Sequence, residues 1–155
     1  MKFQAALLVV ADMERSVKFY KAVLGLRVTM DLGANVTLTG GVALQTRESW
    51  CGFISKDLQS INFGGNAAEL YFEEEAFDDF LEKLAAIKGL VYVHPVQEHS
   101  WGQRAVRFYD PDSHILEVGE SMKSVCRRFL NNGMTVEAAA ARMQVPEKFI
   151  RACVR

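Results

Sequence analysis

The strongest chemical signal in the sequence is a pair of opposite charges on two neighbouring apolar strands. Arg107 and Glu117 lie in the stretch RFYDPDSHILEVGE, on either side of a predicted tight turn at residues 110–113. Proline fixes φ at the second turn position, and Asp and Ser side chains hydrogen-bond to their own backbone. An isolated charge is costly to bury. If both side chains point inward, a metal, a ligand or an ion pair between them must therefore compensate their burial.

These two charges belong to the second of two similar segments. Residues 3–50 are predicted to fold in the order β-α-β-β-β, with Asp12 as the N-cap of the helix and Gly25 at its end. The same order recurs over residues 66–120, after a glycine-containing linker or lid. Neither copy can bury its sheet alone, so the pair is predicted to share one concave surface. Residues 121–155 do not fit the repeat and are predicted to form helices.

Composition and charge exclude several classes of protein. The length of 155 residues and the hydrophobic share of 50% suit a globular domain, and the net charge of −1 provides no general basic field for nucleic acid or an anionic membrane. No apolar run approaches the roughly 20 residues that span a bilayer. Cys51, Cys126 and Cys153 are widely spaced without a CxxC pair, which predicts reduced thiols and a cytoplasmic location.

Two motifs of the sequence resemble the vicinal oxygen chelate superfamily. They are the opening VVADMERSVKFYKAVLGL and the closing FYDPDSHILEVGE. That superfamily includes glyoxalase I, bleomycin- and fosfomycin-resistance proteins, extradiol dioxygenases and methylmalonyl-CoA epimerase. The resemblance implies an α+β fold in which two βαβββ repeats form a shared open-barrel cup. It predicts a glyoxalase/bleomycin-resistance-like domain over residues 1–120 and a helical C-terminal extension over residues 121–155.

The resemblance also bears on a metal site. Members of the superfamily hold a divalent metal with four inward side chains, and the metal stabilises a substrate oxyanion as a Lewis acid. Motif spacing places those positions at Ala5, Gln45, Ala67 and Glu117. Alanine has no donor atom, and a tight site needs three or more protein ligands. Gln45 and Glu117 are therefore only weak metal ligands, and we expect no metal or other cofactor.

Strand alternation extends the predicted lining of the cup. Glu69 and Tyr71 share one strand face, and the family pattern turns Arg107 inward with Tyr109 beside it. Two interpretations stay open for the charges. Arg107 forms a salt bridge with Glu117 or Glu69 in a closed core, or it anchors a ligand carboxylate or phosphate through two hydrogen bonds.

Three more residues stand where loops would cover the cup. His99 is a candidate general base, or else a solvated loop residue. Trp101 and Trp50 are candidates for stacking on a flat ligand, or else pack beneath the linker.

The C-terminal extension resembles a small helix-turn-helix, and its basic residues make it positive. It lacks a recognition helix rich in base-reading Asn, Gln or Arg, so nucleic acid is not expected as a partner. Its apolar residues are predicted to pack against the barrel or a partner subunit. These residues are Phe129, Leu130, Met134, Met143 and Phe149.

Three functional hypotheses follow, and whether the chain is an enzyme stays open among them. The first is a small-molecule-binding protein of the bleomycin-resistance type without the full metal site. The second is a glyoxalase-like lyase or isomerase that uses Glu69, Glu117 and His99 in a rearranged site. The third is a structural or regulatory dimer. A homodimer is expected, and no membrane partner.

Overall fold

The computed structural model describes residues 1–153, so residues 154 and 155 of the predicted extension lie outside the described residues. It is an α+β protein with two four-stranded sheets. By internal contacts the chain divides into two units, of which the first comprises Met1–Ala68 and Tyr109–His114, and the second the remaining residues. No helix within the described residues is long and apolar enough to cross a membrane.

The first unit has the predicted β-α-β-β-β order. Strand β4 pairs in parallel with β1 and antiparallel with β3, which gives the sheet order β1-β4-β3-β2. Its elements are β1 (Ala6–Val10), α1 (Met13–Leu24), β2 (Val28–Asp31), β3 (Asn35–Leu38) and β4 (Val42–Thr46).

Local signals define helix α1 at both ends. The Asp12 side chain accepts a hydrogen bond from the Arg15 amide, and Gly25 adopts the left-handed conformation at φ 69°. Only glycine takes this conformation without a Cβ penalty, so the helix ends there. Both predictions are confirmed. One face of α1 is buried through Ser16, Tyr20 and Val23.

The turn of residues 109–114 packs on α1 within the first unit. The Tyr20 hydroxyl donates to Asp110 at 2.8 Å, the Ser16 hydroxyl donates to Asp112 at 3.1 Å, and the Arg15 guanidinium donates to Asp112 at 2.6 Å. Both carboxylates are buried. The two motifs that carry the family resemblance are therefore joined by hydrogen bonds, and these residues serve the fold.

Helix α2 (Arg47–Ile54) lies in the segment that was expected to be a linker or lid. Its sequence RESWCGFI has a glycine and no clear apolar stripe, so the propensity signal for a helix is weak. The helix follows β4 directly, buries Cys51, and ends where Ser55 adopts the left-handed conformation. Tertiary packing, rather than local preference, establishes it.

The second unit repeats the order of the first, which confirms the duplicated architecture. Its sheet order is β5-β8-β7-β6, with β5 parallel to β8. Helix α3 buries an apolar face of Phe77, Phe80 and Leu84. The elements are β5 (Glu69–Glu74), α3 (Phe77–Ala85), β6 (Tyr92–Glu98), β7 (Arg104–Tyr109) and β8 (Ile115–Glu120).

The C-terminal extension is helical, as predicted, and its apolar residues pack mainly among themselves, while the Phe129 ring also lies against Gly102 of the second unit. Helices α4 (Met122–Asn131), α5 (Val136–Met143) and α6 (Glu147–Cys153) bury Phe129 and Met143 in a core of their own. The three other apolar residues expected on the barrel or a partner pack against that same core, namely Leu130, Met134 and Phe149. The three helices share this core because short turns join them.

Candidate functional site

The charge cluster of the second sheet consists of Glu69, Arg107 and Glu117. The Arg107 Nε donates to a Glu69 oxygen at 2.8 Å, and its Nη2 is paired with Glu117. The side chains of Arg107 and Glu69 are 24% and 37% exposed, while that of Glu117 is only 6% exposed. One guanidinium therefore balances a buried carboxylate and a partly exposed one.

The strand register brings these three side chains together. In the parallel β5–β8 pair, Tyr71 lies opposite Glu117 and Glu69 lies one alternation step away. Strand β7 places Arg107 on the far side of β8. Because side chains alternate along a strand, the intervening residues, such as Leu116 and Val118, are buried on the opposite face.

The two carboxyl groups differ in proton affinity. Burial raises the pKa of Glu117 above its usual range, and the neighbouring Glu69 raises it further. The hydrogen bond from Arg107 lowers the pKa of Glu69. Of the two carboxyl groups, Glu117 therefore has the higher proton affinity. Two carboxyl groups whose environments separate their pKa values can act as an acid and its partner base.

His94 is a fourth member of the cluster, and sequence reasoning missed it. Its Nε2 lies 3.2 Å from Arg107 Nη1, and its Nδ1 donates to the Pro95 carbonyl at 2.7 Å. The Nδ1 proton leaves Nε2 free to accept from the guanidinium. The register of β6 shifts on both sides of His94, which obscures the alternation that would have identified it. Its position opposite Arg107 in a predicted hairpin was the available signal.

The helix N-caps offer an alternative to one of the four expected metal positions. Ala5 lies seven residues before Asp12, the N-cap of α1. The residue seven positions before Ala76, the N-cap of α3, is Glu69. Ala67 precedes β5, as Ala5 precedes β1. Counted from the helix N-cap, the position in the second repeat therefore falls on a carboxylate, while Ala67 stays a prediction from motif spacing.

The residues at the cluster do not fit a metal centre. Glu69 and Glu117 are both engaged by Arg107, whose permanent positive charge balances them. Within residues 1–153, no group of three or more His, Cys, Asp and Glu side chains is arranged to hold a metal ion.

Gln45, the remaining expected metal position, lies in the first unit with both ends of its amide occupied. Its Oε1 accepts from Asn35 at 2.7 Å, and its Nε2 donates to the Ser49 hydroxyl at 2.7 Å. Gln45 is buried. Trp50 follows Ser49 on α2 and is partly buried. Gln45 therefore belongs to a satisfied amide network of the first unit.

A second hydrogen-bonded chain runs along the second sheet. The Tyr71 hydroxyl donates to Glu73 at 2.9 Å and accepts from the buried Gln103 amide at 2.7 Å. The Gln103 Oε1 in turn accepts from Trp101 at 3.2 Å. The His99 ring stacks on Trp101, with ring centroids 4.3 Å apart. Burial raises the pKa of Tyr71 to about 12, so the hydroxyl stays protonated at neutral pH.

Two predicted site residues are not joined to the charge cluster. Within residues 1–153, no hydrogen bond links the His99 side chain to Glu69 or Glu117, so the expected catalytic trio is not assembled. The Tyr109 hydroxyl donates to Asn66 at 2.9 Å in the first unit. Tyr109 is the last residue of β7, and its hydroxyl is engaged outside the charge cluster.

Comparisons with known proteins agree with this architecture. The family model of the glyoxalase-like domain matches residues 3–123. A protein of unknown function from Agrobacterium tumefaciens str. C58 is 35% identical, with a TM-score of 0.70 over 79% of this chain and 95% of that chain. No curated protein matches.

More distant structures share the fold. A glyoxalase/bleomycin resistance protein/dioxygenase from Nocardioides is 21% identical, with a TM-score of 0.63 over 77% of this chain and 83% of that chain. A glyoxalase/bleomycin resistance protein/dioxygenase family enzyme from Burkholderia phytofirmans PsJN is 16% identical, with a TM-score of 0.66 over 79% of this chain and all of that chain, 100%.

Proposed function

Because the chain belongs to the glyoxalase-like domain family of the vicinal oxygen chelate superfamily, we propose that it binds a small organic ligand at the Glu69–Arg107–Glu117 cluster without a metal. The observation that carries this proposal is the buried Glu117 beside a partly exposed Arg107 and Glu69. A carboxyl group with a perturbed pKa next to a specific charge partner is characteristic of functional sites.

The charge balance of the cluster indicates the chemistry of the ligand. Two carboxylates share one guanidinium, which leaves one negative charge when both are ionised. Arg107 already donates to both carboxylates, so it has less capacity to bind a ligand carboxylate or phosphate than the sequence suggested. The Tyr71 ring is 49% exposed and lies against Gly119, where it offers an apolar surface. An amine-bearing ligand with an apolar body fits these features.

A ligand screen tests this proposal. We expect small amines to raise the midpoint of thermal unfolding in a concentration-dependent way, because they bind only the folded state. Replacing the carboxylate in Glu117→Gln removes an ion pair with the ligand, and the affinity should fall about tenfold, or roughly 1.4 kcal/mol. The exposed Glu82→Gln serves as the control and should keep the wild-type affinity. Stabilisation by carboxylates but not by amines would contradict the proposed ligand class.

A second candidate function is lyase or isomerase chemistry, and the separated pKa values of Glu117 and Glu69 favour it. In this case Glu117 would transfer a proton to or from the substrate. The hemithioacetal of methylglyoxal and glutathione is the substrate to assay. Turnover that is lost in Glu117→Gln at unchanged KM would establish this function over binding alone.

The homodimer stays a prediction for sedimentation velocity to test.

The proton affinities of the cluster give a further prediction. In a carbon-detected NMR titration, Glu117 should take up its proton at a higher pH than Glu69. Its raised pKa contributes stability at low pH that is lost as the pH rises through the folded-state value. The lowered pKa of Glu69 stabilises the folded state at higher pH, and this stabilisation is lost as the pH falls through the folded-state pKa. In Arg107→Leu the pKa of Glu69 should rise, whereas Arg27→Leu should leave it unchanged.

A further inference from the structure

The three C-terminal helices form a module with its own core. The family match ends at residue 123, so the helices are an addition to the matched domain. Eight side chains from all three helices are buried together, namely Val125, Cys126, Phe129, Ala139, Ala140, Met143, Ile150 and Cys153. A core of this kind holds the helices in one defined arrangement.

Helices α5 and α6 have the features of a helix-turn-helix. They are joined by the three residues 144–146, and Gln144 adopts the left-handed conformation at φ 57°. Its amide caps the end of α5, so the chain turns sharply before α6. Ala140 and Ile150 are buried on the facing sides of the two helices. A short turn between two packed helices is the arrangement that places a second helix in the major groove of DNA.

The outer surface of the module is polar. Among the described residues, all of the large exposed hydrophobic side chains precede residue 97, so none belongs to the extension. Protein interfaces rely on buried aromatic or aliphatic anchors. The module lacks such anchors on its surface, because its apolar side chains already fill its own core. This observation disfavours the protein partner that the sequence suggested.

The charge of the extension is opposite to that of the rest of the chain. Residues 121–155 contain seven Lys and Arg against two Glu, a net charge of +5, whereas residues 1–120 carry −6. Such an asymmetry within one chain points to a polyanionic partner. Two of these cations are used internally, because Arg128 pairs with Glu98 and Glu120, and Arg142 pairs with Glu98.

Other cations of the module remain available. Lys123, Arg127 and Lys148 form no ion pair with any other residue in the described part of the chain, and all three are exposed. Arg151 is exposed and pairs at the surface with Glu147 of α6 and with Glu137 of α5. Surface pairs of this kind contribute little to stability and exchange readily.

We propose that the C-terminal extension binds duplex DNA, with the Lys148 and Arg151 face of α6 against the phosphate backbone. The absence of base-reading Asn or Gln on α6 is compatible with this role, because phosphate contacts supply affinity and carry no sequence information. The module therefore binds DNA with little sequence preference.

The experiment is fluorescence anisotropy of the full chain with a labelled, random-sequence duplex of about two helical turns. At about 50 mM KCl we expect saturable binding in the range of about 10⁻⁴ to 10⁻⁶ M, and weaker binding as salt rises. The double variant Lys148→Gln/Arg151→Gln should bind about fivefold less tightly, with a salt slope shallower by about 2.

The matched control is Lys18→Gln/Lys21→Gln on the exposed face of α1, which changes the net charge equally and should keep the wild-type affinity. Circular dichroism and thermal unfolding verify that both variants are folded. The proposal is overturned by an unchanged anisotropy at low salt, by equal losses in the two double variants, or by a single strand that binds as tightly as the duplex.

Discussion

Replacing Asp110 by alanine is expected to destabilise the protein by about 3–5 kcal/mol. The buried carboxylate accepts four hydrogen bonds, from the Tyr20 hydroxyl, the Asp112 amide, and both the amide and Nδ1 of His114, at 2.8–2.9 Å. Alanine would leave these donors without their acceptor, and a buried polar group without a partner is strongly unfavourable. The shift of the urea midpoint at constant slope measures the effect.

Asp57→Ala is the control for this variant, because Asp57 is exposed and its side chain does not cap the short helix that follows. It should change the free energy of unfolding by less than about 0.5 kcal/mol. A loss of under about 1 kcal/mol in Asp110→Ala would show that the turn is not a structural centre of the first unit.

The same carboxylate predicts a pH dependence. Burial opposes ionisation of Asp110, but hydrogen bonds from His114 and Tyr20 outweigh it and lower the pKa. A lowered folded-state pKa contributes stability that is present above the unfolded value and is lost as the pH falls through the folded value. Asp110→Asn should therefore have a smaller free energy of unfolding than the wild type at neutral pH. Its free energy of unfolding should also change less with pH in the acid range.

Gly102→Ala is the second substitution with a large expected effect, and we expect a loss of about 4 kcal/mol or more. Gly102 has φ +89°, and a Cβ added there would fall on the Phe129 ring of α4. The Gly102 carbonyl also accepts from Arg128 at 2.5 Å. The substitution combines backbone strain with displacement of α4, so hydrogen exchange in α4 should accelerate together with the drop in the unfolding midpoint.

Gly133→Ala separates backbone strain from the overlap with Phe129. Gly133 has a similar φ of +85°, but an added Cβ meets no atom within 4 Å. Only the backbone penalty of about 1 kcal/mol should remain. The double variant Gly102→Ala/Phe129→Leu should be less destabilised than the sum of its single variants, because the smaller side chain relieves the overlap. Additive losses would show that Phe129 does not cause the effect.

Local features of the fold could be predicted because their signals lie within a few residues of each other. Asp12 and Gly25 bound α1 through hydrogen bonds and a backbone conformation that neighbouring residues complete. Thr135 starts α5 in the same way, by accepting from the Ala138 amide. Helix α2 lacked such a signal, because its glycine and weak apolar stripe resemble a loop.

The site was less predictable because it depends on register between strands that are distant in the sequence. Motif spacing placed Ala67 at a metal position, whereas counting back from the N-cap of α3 gives Glu69. A shift of two residues keeps the strand face and changes the chemistry from alanine to a carboxylate. The irregular register of β6 likewise concealed His94 beside Arg107.

By itself the sequence determined the α+β class, the two βαβββ repeats and the helical extension, because periodicity, caps and turn residues act locally. Only the tertiary structure decided that Arg107 serves both Glu69 and Glu117, that His99 stacks on Trp101 apart from them, and that the extension has its own core. These outcomes depend on which strands and helices meet, and long-range packing rather than local preference selects those contacts.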